Sequence, residues 1–224
     1  MCIIAIKAKG IPIPGTLQDC WNNNPDGAGY AYYQKGYWYI RKGFLFYEDF
    51  ERDLLQHVTQ KDTAILHFRI ATSGDISMGC THPFPISDSI SKLNQTRIKT
   101  PFAIAHNGIL GKGKGKVSDT QLFVKEVLFP LLPLLLSKDE KIRKMVAFLS
   151  KGSKLCLMLE NTISKYGKWF EKDGIYYSNT TFQEAIQVRG IFETYFWEKY
   201  FSSERNGDRG HRISLSQRKS LQEN

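Results

Sequence analysis

The feature that most limits what this chain can become is its first apolar run. Ile3-Ile4-Ala5-Ile6 is continuous, mostly β-branched and directly behind Cys2. A run of this kind predicts a buried strand over residues 2 to 8, so a strand is expected to begin at Cys2 itself. Lys7 interrupts the run early and no basic segment precedes it, which is unlike a secretory signal.

Downstream, a loop rich in Asn, Pro and Gly (22 to 29) leads into two apolar segments, Gly29 to Gln34 and Tyr37 to Arg41. The Lys35-Gly36 pair between them is a two-residue hairpin signal. Phe50, Leu54 and Leu55 are spaced for a helix over Asp49 to Val58, and Ala64 to Arg69 returns to strand. Residues 75 to 99 are polar and broken by Gly79, Pro83 and Pro85, which predicts a long surface loop. Phe102 to His106 reads as another strand. Ser118 can cap a helix with Leu122, Val124, Val127 and Leu128 on its apolar face, and a second amphipathic helix is expected over 138 to 149. Strands follow at Lys154 to Glu160, Lys168 to Phe170 and Gly174 to Ser178, then an aromatic helix from Phe182 to Phe201. This order predicts two sheets packed face to face with helices outside, and it lacks the glycine-rich first turn of a dinucleotide fold.

With 224 residues, 42% of them hydrophobic, the chain can bury one substantial core. One domain over 2–201 is expected, with a basic tail over 202–224 too poor in apolar residues to fold. The apolar stretch from Val127 to Leu136 holds two prolines and falls short of the ~20 residues that cross a bilayer, so no membrane partner is expected. Cys2, Cys20, Cys80 and Cys156 are scattered, without a Cys-x-x-Cys pair or zinc spacing. That suits a reducing cytoplasm and calls for neither a metal nor another cofactor. The net charge of +9 leaves an anionic ligand or nucleic acid open as a partner, but no helix-turn-helix, zinc or RNA-binding aromatic signature accompanies it.

The chemistry centres on Cys2. Removal of Met1 would place a thiol and a free α-amine on one residue, the amine titrating near about 8 and the thiol near about 8.5, so that nucleophile and base coexist. Taken alone, Cys2 reads first as a small core residue at the edge of a strand. Four other segments add to it. Arg69, at a strand end before Ile70-Ala71-Thr72, has the planar fork that clamps a carboxylate. Asn107-Gly108 ends another strand with a side-chain amide and an unhindered N–H, the two donors of an oxyanion hole, or a simple tight turn. Asp119, in Ser118-Asp119-Thr120, can accept from a substrate ammonium or serve a helix start. Asn24-Pro25-Asp26-Gly27-Ala28-Gly29 allows close backbone approach. The lysines at 112, 114 and 116 form a basic hinge without the phosphate-loop pattern.

Together these segments resemble the class II glutamine amidotransferases, the N-terminal cysteine branch of the N-terminal nucleophile hydrolases. The resemblance runs from residue 2 to about 180 and implies an α+β, four-layer αββα sandwich of two mainly antiparallel sheets. It makes Cys2 the nucleophile, Asn107 and Gly108 the oxyanion donors, Arg69 and Thr72 the carboxylate-binding pair and Asp119 the residue that binds the α-amine of glutamine. Gln121 stands where many members carry Glu, and Asn23-Asn24 where many carry Arg-Gly.

The implied activity is release of ammonia from glutamine through a Cys2 glutamyl thioester. No acceptor half is visible, so a separate synthetase or other acceptor enzyme is the implied partner. Small stand-alone relatives occur in bacteriophages, which would place such a chain in host cytoplasm. An N-terminal cysteine hydrolase of another amide, such as a γ-glutamyl or acylated amine, is the alternative. A basic nucleic-acid-binding protein without enzymatic activity is a further one.

Overall fold

The run behind Cys2 becomes β1 (Ile3–Lys7), a strand with every residue buried. The computed structural model describes residues 1–71, 76–137 and 139–183. These lie in a unit spanning Met1–Ala185, and the second unit, Ile186–Asn224, is outside the described residues. So are Thr72, most of the helix expected from Phe182 and the whole tail.

Strand β1 pairs antiparallel with β4 (Thr63–Phe68) in the register Ile3↔Phe68 to Lys7↔Ala64. Around this pair is a seven-stranded sheet that includes β2 (Ala28–Gln34), β3 (Tyr37–Phe44), β6 (Arg97–Thr100), β10 (Phe170–Lys172) and β11 (Ile175–Tyr177). Its order is β10-β11-β1-β4-β2-β3-β6, with every neighbour antiparallel. A four-stranded sheet combines β5 (Phe84–Pro85), β7 (Phe102–Asn107), β8 (Lys154–Leu159) and β9 (Thr162–Tyr166) in the order β5-β7-β8-β9, again antiparallel.

Alternation along the strands sorts their side chains into three cores. Ile4, Ile6, Ile40, Ile65 and Trp38 of the larger sheet meet Ala103, Ala105, Cys156 and Met158 of the smaller one. On the other face of the larger sheet, Ile3, Ala5, Tyr30, Leu66 and Phe68 pack with Trp21 of α1 (Leu17–Asn23) and Phe50 and Leu54 of α2 (Tyr47–His57). Ile104, Leu155 and Leu157, on the other face of the smaller sheet, pack with Val124, Leu128, Leu135 and Val146. The chain is thus an α+β protein of two antiparallel sheets with helices, an arrangement compatible with a sandwich. Each buried isoleucine of β1 contributes about 2–3 kcal/mol of apolar transfer, so the terminus is a principal anchor of the fold.

Several local expectations need correction. Within 76–99 the structure has a 3₁₀ turn (Met78–Cys80), β5, α3 (Ile90–Asn94) and β6 in place of a plain surface loop. Polarity misled because the segment buries a few large residues, Phe84, Ile86 and Leu93, and because its backbone is held from below. Lys42 Nζ donates to the carbonyls of Gly79, Thr81 and Leu93 at 2.7–2.9 Å. Burial pushes the Lys42 pKa down, while three carbonyl acceptors match the three protons of an ammonium. Lys7 behaves likewise: it ends the apolar run yet is buried, with Nζ on Asp62 O at 2.6 Å.

The helix opened by Ser118 also continues past Leu128. It runs as α4 (Asp119–Phe123), a π-helical turn (Val124–Leu128) and α5 (Phe129–Leu136). Pro130 and Pro133 each remove an N–H donor, and the wider π turn lies directly before them. Next comes α6 (Glu140–Leu149), with Asp139 as its cap. Strands β9 and β10 take the place of the single strand expected at Lys168 to Phe170.

Gly29 has the least freedom in this framework. A Cβ there would sit 2.5 Å from Lys42 Cβ and against the His82 carbonyl oxygen. Gly29→Ala is expected to cost about 3 kcal/mol, the upper end of overpacking, seen as a lowered denaturant midpoint. An unchanged midpoint would show that the β2–β3 seam can yield.

Candidate active site

Antiparallel pairing brings the start of β1 and the end of β4 together at one end of the larger sheet's strands. Cys2 precedes β1 and Arg69 follows β4, and the register carries one toward the other. The contact is direct. Cys2 Sγ lies 3.4 Å from both the N–H and the carbonyl of Ile70, accepting from the first and donating to the second. Asn179, just beyond β11, donates from Nδ2 to the Cys2 carbonyl at 2.7 Å.

The Asn24 to Gly29 loop secures the other partner. Asp26 N–H donates to Arg69 O at 3.0 Å, Arg69 N–H donates to Gly27 O at 2.8 Å, and Ala71 N–H donates to the Asp26 carboxylate at 2.8 Å. Gly27 has φ +119°, and a Cβ there would press on Thr81 Cγ2 at 2.8 Å. A glycine-rich turn is therefore what lets the loop reach the end of β4.

Cys2 borders two cavities. The inner one, about 20 Å³, is lined by Arg69, Asp119, His82, His106 and Gly108 among others. The outer one, about 250 Å³, is lined by Met1, Asn107, Gly108, Ile109, Lys151 and Gly152. Five of the residues singled out in the sequence thus meet at Cys2: Arg69 and Asp119 on the inner side, Asn107 on the outer side, Cys2 and Gly108 on both. The sixth, Thr72, lies outside the described residues.

Of the four cysteines only Cys2 is partly exposed. Burial nevertheless pushes its thiol up, opposed in part by the Ile70 backbone bond and the Arg69 charge. With Met1 attached, the nitrogen of Cys2 is an amide and cannot act as a base. The thiol is then largely protonated at neutral pH and a weak nucleophile. Burial pushes Cys20 up to about 12 and Cys156 up as well, which makes both inert.

Asp119 stands at the first turn of α4. Ser118 and Gln121 form a capping box there, while the Asp119 carboxylate accepts from Leu110 N–H and Thr120 N–H at 2.8 and 2.7 Å. It ties the lysine-bearing loop back to the site. Gln121 gains something a Glu could not supply: its amide nitrogen donates to Asn94 Oδ1 at 2.6 Å.

Sequence reasoning missed two kinds of residue. Ser178 and Asn179 carried no motif signal, lying in a plain Ser-Asn-Thr-Thr stretch, yet their side chains hold Asn107 and Cys2. The histidines are the second kind: His67, His82 and His106 lie far apart in the sequence and cluster beneath the site. His67 and His82 stack with centroids 4.2 Å apart, and His82 packs edge-on against Phe84 at 4.6 Å. His67 Nε2 bonds the His106 carbonyl at 2.9 Å, and His106 Nδ1 bonds Thr120 Oγ1 at 2.8 Å. Among the described residues, no group of His, Cys, Asp or Glu is arranged to hold a metal, and no helix is long and apolar enough to cross a membrane. No protein-family model matches this chain, and no curated protein is significantly similar to it.

Burial pushes His67 down to about 3 and also pushes His82 and His106 down, so all three imidazoles stay neutral in the fold. In the unfolded chain they protonate near about 6.5. The unfolded state therefore binds more protons as pH falls below that value, and stability is lost progressively from there toward the folded pKa values. The slope is about 1.4 kcal/mol per pH unit for each histidine. Chemical denaturation between pH 7.5 and 4.5 is expected to show this loss, and His82→Phe to reduce its slope. A flat profile down to pH 5 would contradict it.

Proposed function

We propose that this chain, once Met1 is removed, is a class II glutamine amidotransferase of the N-terminal nucleophile hydrolase superfamily. Its two antiparallel sheets and flanking helices would then be the four-layer αββα fold of that group. One observation carries the reading: Cys2 lines both a cavity bearing a cation and a carboxylate and a pocket bearing an amide side chain, with Gly108 shared by the two.

The roles follow from charge and position. Arg69 takes the α-carboxylate of glutamine and Asp119 its α-ammonium, which sets the carboxamide over the Cys2 sulfur. Thr72 is assigned to the carboxylate beside Arg69. The freed α-amine takes the thiol proton, and sulfur attacks the carboxamide carbon. The resulting oxyanion is held by Asn107 and Gly108. Collapse of the adduct breaks the C–N bond, the α-ammonium returns its proton to the departing ammonia, and water hydrolyses the thioester to glutamate. A separate acceptor enzyme receives the ammonia.

The inner cavity holds only a water-sized molecule, so seating an amino acid there requires it to widen. The outer pocket is far roomier than ammonia requires. That room favours one second reading, a γ-glutamyl amide whose amine portion leaves through the outer pocket. A higher kcat/KM for γ-glutamyl anilides than for glutamine would establish it.

The proposal is tested by ammonia release from glutamine with chain lacking Met1. Cys2→Ala should abolish release, Asn107→Ala should lower kcat by about 10²–10³-fold, and Arg69→Lys should act mainly on KM. Full activity in Cys2→Ala would rule the mechanism out.

A further inference from the structure

Asn107 can stabilise an oxyanion only through its amide N–H, and as placed that group is turned to Ser178. Nδ2 lies 2.8 Å from Ser178 Oγ, while Oδ1 is buried without a hydrogen-bond partner among the described residues. The residue is 1% exposed, so this orphaned oxygen is costly. Ser178 Oγ meanwhile accepts a second N–H, that of Ile4 at 2.9 Å. Ser178 N–H in turn donates to Ile4 O at 2.9 Å, which fixes the serine backbone to β1.

A half-turn of the amide changes this without moving any other heavy atom. Oδ1 then faces Ser178, whose hydroxyl donates its single hydrogen to it and keeps the Ile4 N–H as a donor to its lone pair. Both contacts of the serine persist, and the NH₂ group takes the place of the orphaned oxygen, on the side chain that lines the pocket with Cys2 and Gly108. A hydroxyl is the group that allows both states, since it donates or accepts as required.

We infer that Ser178 is a positioning residue for the oxyanion hole: its hydroxyl holds Asn107 in the orientation that turns Nδ2 toward the reacting carbonyl. This rests on the glutaminase reading above. Ser178 touches neither substrate nor sulfur in this account and acts through Asn107 alone.

The test is a kinetic cycle in the full chain lacking Met1, with ammonia release from glutamine as readout. Ser178→Ala is expected to lower kcat about 10-fold or more, leave KM within about 3-fold, and have no further effect in an Asn107→Ala background. Ser178→Thr, which keeps the hydroxyl, should restore kcat. If Ser178→Ala fails to fold, having lost the acceptor of Ile4 N–H, Ser178→Cys keeps the volume, weakens both bonds and must likewise lower kcat. Unchanged kcat in these variants, or an equal loss with and without Asn107, would overturn the inference while leaving the glutaminase reading intact. A wild-type chain without Met1 that releases no ammonia would overturn both.

Discussion

The structure depends on the antiparallel pairing of β1 with β4. Five register pairs, from Ile3↔Phe68 to Lys7↔Ala64, bury the first strand of the chain near the centre of the larger sheet. Just beyond the Ile3↔Phe68 pair the Cys2 sulfur meets the Ile70 backbone, so the interaction that anchors the terminus also delivers the sulfur to the end of β4. A shift of one residue would exchange the faces of Ile3 and Ile4 and move them into the wrong cores. The position of the thiol is therefore as well determined as the hydrophobic core.

Near that seam the protein buries polar groups, which is costly unless each finds a partner. Most find backbone. Lys42 takes three carbonyls, Asn179 takes the Cys2 carbonyl, and Asp119 takes two N–H groups. Of the six buried side-chain atoms without partners among the described residues, four belong to residues lining the Cys2 cavities: Asn107 Oδ1, His106 Nε2 and both ring nitrogens of His82; the other two are Asn24 Oδ1 and His67 Nδ1. Unsatisfied side-chain atoms beside the one partly exposed thiol are the feature on which the proposed chemistry draws.

How much of this was legible beforehand varied with the kind of signal. Strands β1, β2, β4, β7 and β8 followed from apolar runs, because period and β-branching act locally. The segment over 76–99 did not, since what folds it is three scattered apolar residues, Phe84, Ile86 and Leu93, together with a lysine from β3 that its own sequence does not contain. Helix α1 was missed because only Leu17, Cys20 and Trp21 mark its face. At the site, Cys2, Arg69, Asn107, Gly108 and Asp119 were readable as residue types at strand ends and a helix start. Ser178 and Asn179 were not, because their importance comes from the β1–β11 pairing, a contact across most of the chain.

The central claim is that a freed Cys2 is the one activated thiol, held beside a site that grips an amino acid. Intact mass and peptide mapping after treatment with diazo-oxo-norleucine, a glutamine-shaped electrophile, test it most directly. The account predicts a single adduct on Cys2, in a chain that has lost Met1 and with protection by excess glutamine. Labelling at another cysteine, or no labelling of a folded chain without Met1, would contradict it.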